Sequence, residues 1–304
     1  MPVSAATPAE FRQQLLAAGI LAATAEDGLY ARSDAFERVA LAFDALVTRR
    51  ATAMGATRWS FAPIQPRASL ERTGYLASFP HLAGSVHVFT GNDRDHAEML
   101  RRINAGEDWS SALSPAPTVL CSACCQPLYP LMSGRLPVGG RLVDVTGWCF
   151  RHEPSLDPCR MQAFRQHDVV YLGTSDGVRQ HLDGWLDRGA DLLESLGLEV
   201  QRVVASDPFF GRGGGLMSES MLSSELKHEL IAAVASDVPS TALMSANEHR
   251  DHFSTAFGIE LADGSPATTA CIGFGLERVT LALLDRHGLD PAQWPAGVWR
   301  VLES

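Results

Sequence analysis

The stretch "CSACCQPLYP", Cys121 to Pro130, packs three of the chain's six cysteines into five residues. Thiols this crowded suit a structural metal clip, a disulfide, a catalytic thiolate, or one arm of a metal site completed from distant sequence. A clip needs a second close pair, and Cys149 and Cys159 lie ten positions apart. A zinc deaminase is excluded, because no His-x-Glu precedes a Pro-Cys-x-x-Cys. The remaining cysteine, Cys271, stands far away in "CIGFGLERVTLALL".

Three further constellations carry chemistry. In "FRHEPSLDPCRMQAFRQHDVVYLG", two strand-like runs flank a loop rich in Pro, Asp and Ser, the pattern of a hairpin with a long turn. Period-2 alternation puts Arg151 and Glu153 on one face of the first strand, and Phe164, Gln166 and Asp168 on one face of the second. An arginine, an acceptor and an aromatic suit a phosphate, a base edge and a base face; they equally suit a surface hairpin with cross-strand ion pairs. In "CIGFGLERV", Gly273 and Gly275 allow close turning, and Arg278 falls in the first turn of a helix, a plausible anion site. It is not a dinucleotide fingerprint, since Arg278 occupies the place of the third glycine. "SANEHRDHF" gathers Asn247, His249, Asp251 and His252, either a polar pocket, a Mg²⁺ or Zn²⁺ site, or hydrogen-bonded structure.

The elements that must position these residues follow from periodicity. A short helix is expected over 8–19, the start of an N-terminal extension covering residues 1–30. A stronger helix begins at Asp34, with Asp34 and Glu37 as a capping box and Phe36, Val39, Ala40, Phe43, Leu46 and Val47 on one stripe, ending near Gly55. Trp59 and Phe61 suggest a strand closed by Pro63 and Pro66. Alternating runs between 82 and 148 suit an antiparallel sheet. Helices are expected over 176–197 and 220–234, and "ATTACIGF" reads as a strand running straight into a final helix. Strands and helices do not alternate regularly, which predicts an α+β fold in a single domain spanning 1–304.

Composition bounds the function. A formal charge of -10 argues against a binder of phosphate backbones. Lys227 is the sole lysine, so the basic residues are nearly all arginine, suited to gripping carboxylate and phosphate by a planar fork. No apolar run approaches the roughly 18 residues that span a bilayer. The opening residues lack a basic region followed by an apolar one, so a cytoplasmic protein with reduced thiols is expected.

Together the segments resemble a known family. "FRHE…CRMQAF" looks like motif 2 of the class II aminoacyl-tRNA synthetases, "GFGLERVTLAL" like their motif 3, and the Asp34 helix with the strand ending at Pro66 is similar to motif 1. Nearest within that fold are seryl-tRNA synthetases and, nearer still, the amino acid:[carrier protein] ligases. "PRASLERTGYLASFPHL", "DPFFGRGG", "ELKHEL" and "HRDHFSTAFGI" have the look of the latter. About thirty residues precede the motif 1 helix, too few for the coiled coil with which a seryl-tRNA synthetase holds tRNA.

The resemblance implies an antiparallel sheet flanked by helices, in a homodimer built through motif 1. It implies that a small amino acid, glycine or alanine, is activated with ATP as the aminoacyl-adenylate and transferred to the phosphopantetheine thiol of a carrier protein, with no tRNA. Arg151 would hold the α-phosphate, Arg160 would also meet phosphate, and Glu153 would accept from the adenine amino group. Phe164 would stack on the base, with Arg278 clamping its other face or reaching the γ-phosphate. Asn247 falls among the ATP-site residues. Mg²⁺ would be shared by the phosphates, although Thr241 stands where its carboxylate is sought. Relatives hold Zn²⁺ through Cys, Glu and Cys; here the matching positions are Cys125, Asp168 and Cys271, with Cys124 the alternative first ligand. Cys121 would pack in the core. His167-Asp168 replaces the family's Arg-Glu, and the shorter Asp168 must be met by a shift of about 1 Å given typical Zn–O distances. That swap motivates an alternative: a catalytically silent paralogue with a binding or regulatory role. A synthetase-like enzyme using another acceptor is a third reading. Carrier docking is expected around Arg212 to Lys227.

Overall fold

The computed structural model describes residues 7–211 and 214–304. Its centre is a seven-stranded sheet: β1 (Thr57–Ser60), β2 (Arg141–Phe150), β3 (Ala163–Gly173), β4 (Gln201–Val204), β5 (Lys227–Ala232), β6 (Thr241–Arg250) and β7 (Thr268–Gly275). The spatial order is β4-β5-β6-β7-β3-β2-β1, antiparallel throughout except for β1, which runs parallel to β2 at the edge. One face is covered by α1 (Asp34–Ala53), α2 (Ser175–Ser195) and α3 (Leu276–His287). The six apolar residues expected on the α1 stripe are all fully buried, against Ile272 and Phe274 of β7 and Val279 of α3. Each of the larger five contributes about 1.5–3 kcal/mol by leaving water, and Ala40 less, upper figures because unfolded chains are not fully extended. No described helix is long and apolar enough to cross a membrane.

Four local expectations are corrected. The cap of α1 is Ser33, whose Oγ accepts from the Phe36 amide, because Ser33 is the last extended residue; Glu37 turns instead to Arg165 and Arg32. The helix expected at 220–234 lies at Gly214–Ser223, and Lys227–Ala232 is β5, held between two strands. Glu225, at φ 50, ends the helical path. The 82–148 region divides: Ser85–Val88 and Ser114–Leu120 join Ile64–Pro66 in a separate three-stranded sheet, and β2 joins the large one. Between them a helix, Asp93–Ala105, starts from a capping box of Asn92 and Asp95. It buries no residue, so it left no core-facing stripe to read. Finally, β2 stops at Phe150, so Arg151 and Glu153 belong to the connection after it.

The N-terminal residues help shape that connection. Gln162 donates its amide to the Gly28 carbonyl and its side chain to the Asp27 carbonyl, at 2.9 and 2.8 Å. Gly28 has φ +78 and would press a Cβ to 3.3 Å from the Arg160 oxygen, so glycine suits this turn. Residues 1–6 of the extension, and Arg212 of the docking segment, lie outside the described residues.

Candidate active site

The sheet face away from the helices carries the chemistry. Pairing of β7 with β3 sets Gly273 beside Asp168 and Gly275 beside Gln166, while β6 sets Asn247 beside Cys271. Alternation then sends Asp168 and Cys271 to the open face and His167 and Ile272 to the core. The turn after Ser114–Leu120 delivers the third group, Cys125. Donor atoms of Cys125, Asp168 and Cys271 lie within 4.8 Å of one another, all buried, the one such cluster among the described residues. Cys124 is not among the three: its Sγ lies 3.7 Å from the Val145 oxygen, and it reaches only the Asp168 carboxyl of the trio by a hydrogen bond. Cys121 is buried, with its thiol 3.6 Å from the Ala62 oxygen.

Gly273 makes the trio's geometry possible. A Cβ there would lie 2.7 Å from Asp168 Oδ1 and 3.4 Å from Ser245 Oγ, so the carboxylate occupies space that only glycine leaves open. Packing three acidic groups without a cation is costly, and their proton affinities show it. Burial first, then the charge on Cys271, pushes the Asp168 carboxyl up to about 7. The Cys125–Cys271 hydrogen bond, ahead of burial, raises the Cys125 thiol well above its ordinary range; the same bond draws Cys271 down. A soft divalent cation would relieve that strain by replacing the shared proton, and two thiolates with a carboxylate suit zinc.

His167 faces the opposite way. Its Nδ1 is 2.7 Å from Asp44 and its Nε2 is 2.6 Å from Asp144, both beneath the sheet. Burial disfavours its charge, yet the two carboxylates together raise its proton affinity.

A cavity of ≈ 300 Å³ runs from the trio across the sheet. Arg151, Glu153, Arg160, Phe164, Asn247 and Arg278 all line it, as do Cys125, Asp168 and Cys271. Arg278 is half-buried and donates to the carbonyls of Cys159 at 2.9 Å and Ala242 at 3.3 Å, which lock its guanidinium. Arg151 donates to the Ser122 carbonyl at 3.1 Å and lies 5.4 Å from the Phe164 ring centroid. Arg160 is more than half exposed, 3.9 Å from Glu153. Asn247 stands at the sulfur end, donating to Cys271 Sγ at 3.7 Å. Of the segment's His249, Asp251 and His252, only His249 lines the cavity; His252 bonds to the Thr73 carbonyl and Asp251 precedes a short helix.

Sequence reasoning set the sole lysine in the docking segment and missed its place in the cavity. Lys227 lines the cavity between Asp207 at 2.5 Å and Glu229 at 3.1 Å. Period-2 alternation in "LKHELIA" was the available signal, hidden by the helix expected there. Glu277 was missed too: it accepts from the Arg165 amide and guanidinium at 2.6 and 2.8 Å, fastening the start of β3 to α3.

No family model matches the chain. Among curated proteins, it is 42% identical over 278 residues to amino acid–[acyl-carrier-protein] ligase 1 of Bradyrhizobium diazoefficiens, covering 91% of this chain and 85% of that one. The chain belongs to this ligase family. Ligase 2 of the same organism is 41% identical over 273 residues, 89% of this chain and 81% of the relative. A type-2 serine–tRNA ligase of Methanococcus aeolicus is 31% identical over 190 residues, 58% of this chain and 36% of that protein. Among solved structures, the seryl-tRNA synthetase of M. kandleri, in complex with A. aeolicus tRNASec, superposes with TM-score 0.79 at 19% identity. That of Pyrococcus horikoshii, complexed with ATP, gives 0.70 at 12%. They cover 99% and 100% of this ligase-family chain, which spans only 62% and 64% of theirs. The fold is therefore that of the class II seryl-tRNA synthetases, α+β with a mostly antiparallel sheet.

Proposed function

We propose that this family member activates a small amino acid with ATP, as the aminoacyl-adenylate, and passes the aminoacyl group to the phosphopantetheine thiol of a carrier protein. The observation that carries this reading is one cavity shared by Arg151, Glu153, Arg160, Phe164 and Arg278 with the Cys125–Asp168–Cys271 trio. The names of the two Bradyrhizobium relatives support the carrier protein as acceptor.

In the first half-reaction a carboxylate oxygen of the amino acid attacks the α-phosphorus of ATP; a carboxyl–phosphorus bond forms as the bond to pyrophosphate breaks. Charge builds on the phosphoryl oxygens, and Arg151, Arg160 and Arg278 stabilise it. Arg278 is anchored by two carbonyls before ATP arrives, so little ordering remains to be done on binding. Glu153 accepts from the adenine amino group and Phe164 offers its ring face to the base. In the second half-reaction the carrier's thiolate attacks the carbonyl carbon; a carbon–sulfur bond forms and AMP departs. Zn²⁺ held by Cys125, Asp168 and Cys271 would supply a Lewis-acid site for the substrate's amino nitrogen. For Mg²⁺ no ligand is assigned, since Thr241 stands where a carboxylate is sought, and no step is routed through it. Glycine or alanine is the proposed substrate, as the family resemblance implies.

The same reading makes the acceptor a carrier protein and not a tRNA, in keeping with the charge of -10. Helix Gly214–Ser223, with Leu216, Met217 and Leu222 exposed, is the proposed docking face. A homodimer through α1 and β1, working in the cytoplasm where the six free thiols stay reduced, completes the proposal. The silent-paralogue alternative rested on the Asp168 swap, and a carboxylate within 4.8 Å of both sulfurs weakens that motive. The test is amino-acid-dependent ATP–pyrophosphate exchange on zinc-replete protein across all the standard amino acids. Exchange confined to glycine or alanine is expected; folded protein that exchanges with none overturns the reading.

A further inference from the structure

Hydrogen bonds that begin outside the cavity converge on one sulfur of the trio. His249, on β6, brings Nε2 to 3.6 Å from Cys271 Sγ. Its Nδ1 faces two hydroxyls, Thr269 Oγ1 at 3.1 Å and Tyr129 OH at 3.4 Å. Hydroxyls can donate to an imidazole nitrogen, and a neutral ring that accepts at Nδ1 carries its proton on Nε2, aimed here at the sulfur. Two aromatic rings flank it. Phe253 meets it edge-on at 4.9 Å, Tyr129 at 6.0 Å, and those two rings stack on each other at 3.9 Å. Asn247 adds a second N–H, itself oriented by Ser245 Oγ at 3.2 Å. His249 does not share the 4.8 Å cluster of the three donors, so it serves Cys271 without joining the set.

We propose that His249 is a positioning residue: by donating its Nε2–H to Cys271, it fixes how that sulfur presents its remaining lone pairs to Cys125 and Asp168, and thereby how tightly the trio holds a divalent metal ion. The inference rests on the metal reading above and deepens it. Its physical basis is general, since partners of a metal ligand restrict its orientation and tune its donor strength. The long cysteine turn and the neighbouring strand leave Cys271 no other side-chain donors than Asn247, Cys125 and His249 among the described residues.

The test uses Co²⁺, whose sulfur-to-metal charge-transfer absorption reports thiolate ligation directly. Metal-free parent, His249→Phe and His249→Gln are titrated with Co²⁺ against a competing chelator, with thermal unfolding of each metal-free form alongside. Phenylalanine keeps a ring between Tyr129 and Phe253 but has no donor; glutamine carries an amide N–H to about the same reach. Expected is Co²⁺ binding about 10–100-fold weaker in His249→Phe, with altered charge-transfer absorption and an unchanged unfolding temperature, and recovery to within a few-fold in His249→Gln. Parent-like binding by folded His249→Phe overturns the inference alone. Equal loss in both variants also overturns it, because the ring and not its proton would then matter. A parent that takes up no Co²⁺ overturns it together with the metal reading.

Discussion

At the scale of the residue, the site is decided as much by an absent side chain as by those present. Gly273 lies between Asp168 and Ser245, and a methyl group there would press to 2.7 Å from the carboxylate oxygen. Gly273→Ala is therefore expected to fold, since its neighbours on that face are side-chain atoms, yet to displace Asp168 from the two sulfurs. Metal content and pyrophosphate exchange should both fall, by tenfold or more; an alanine variant with full metal and full exchange would show that the carboxylate is not needed where it stands. Arg278 makes the complementary case. Lysine there keeps a charge but cannot reach two carbonyls and a phosphate together, so Arg278→Lys is expected to lower the exchange rate about a hundredfold or more. The metal content should not change, which separates a phosphate role from general damage.

At the scale of the element, buried ion pairs tie the helical layer to the catalytic face. Glu277 of α3 is 3% exposed in its side chain and meets Arg165 and Arg32, while Arg165 also pairs with Glu37 of α1. Removing one partner strands the others, so Glu277→Ala is expected to cost about 3–5 kcal/mol in urea unfolding. A second tie links α1, β2, β3 and β1: Asp44 meets His167 and Arg58, and Asp144 lies behind them. Burial, the largest influence, opposes ionisation of Asp44, but His167 and then Arg58 outweigh it and hold its pKa at about 2. A depressed carboxyl stabilises the fold above its unfolded value of 3.8 and loses that contribution as pH falls towards 2. The stability gap between parent and Asp44→Asn should thus be about 2 kcal/mol larger at pH 5 than near pH 2; a gap independent of pH would remove Asp44 from the account. These ties also mark how far sequence could be read. The α1 stripe, the β2–β3 hairpin and the β7-to-α3 passage were legible because each pairs a strong period with turn residues. β5 and Asp93–Ala105 were not. The strand's apolar content is satisfied only by its neighbours, and the exposed helix has no buried face at all. In the same way Cys125, Asp168 and Cys271 could be named from the family pattern, whereas the partners of Lys227, Glu277 and His249 depend on how segments distant in sequence are brought together.

At the scale of the whole molecule, the sheet ends in a short strand at each edge, β4 on one side and β1 on the other. Beyond β1 there is no further strand among the described residues, and all four residues of β1 are exposed, Trp59 at 41%. Soluble proteins rarely leave a strand edge and large apolar side chains open together, because both invite association. Leu41 of α1 and Met54 at its end are exposed as well, at 57% and 37%. A second copy meeting this edge would cover β1 and the exposed residues of α1. The expectation is a mass in solution twice that of the chain by light scattering. A charge placed at the edge, Trp59→Glu, should halve it while leaving the metal content intact, since neither Cys125 nor Asp168 touches that edge. A parent that is monomeric at micromolar concentration would refute the dimer and require another explanation for the exposed strand. If Trp59→Glu is monomeric and also loses exchange activity, the Asp44–His167–Arg58 tie is the route by which the dimer edge would reach the catalytic face, and the Asp44→Asn variant should then show the same loss while remaining dimeric.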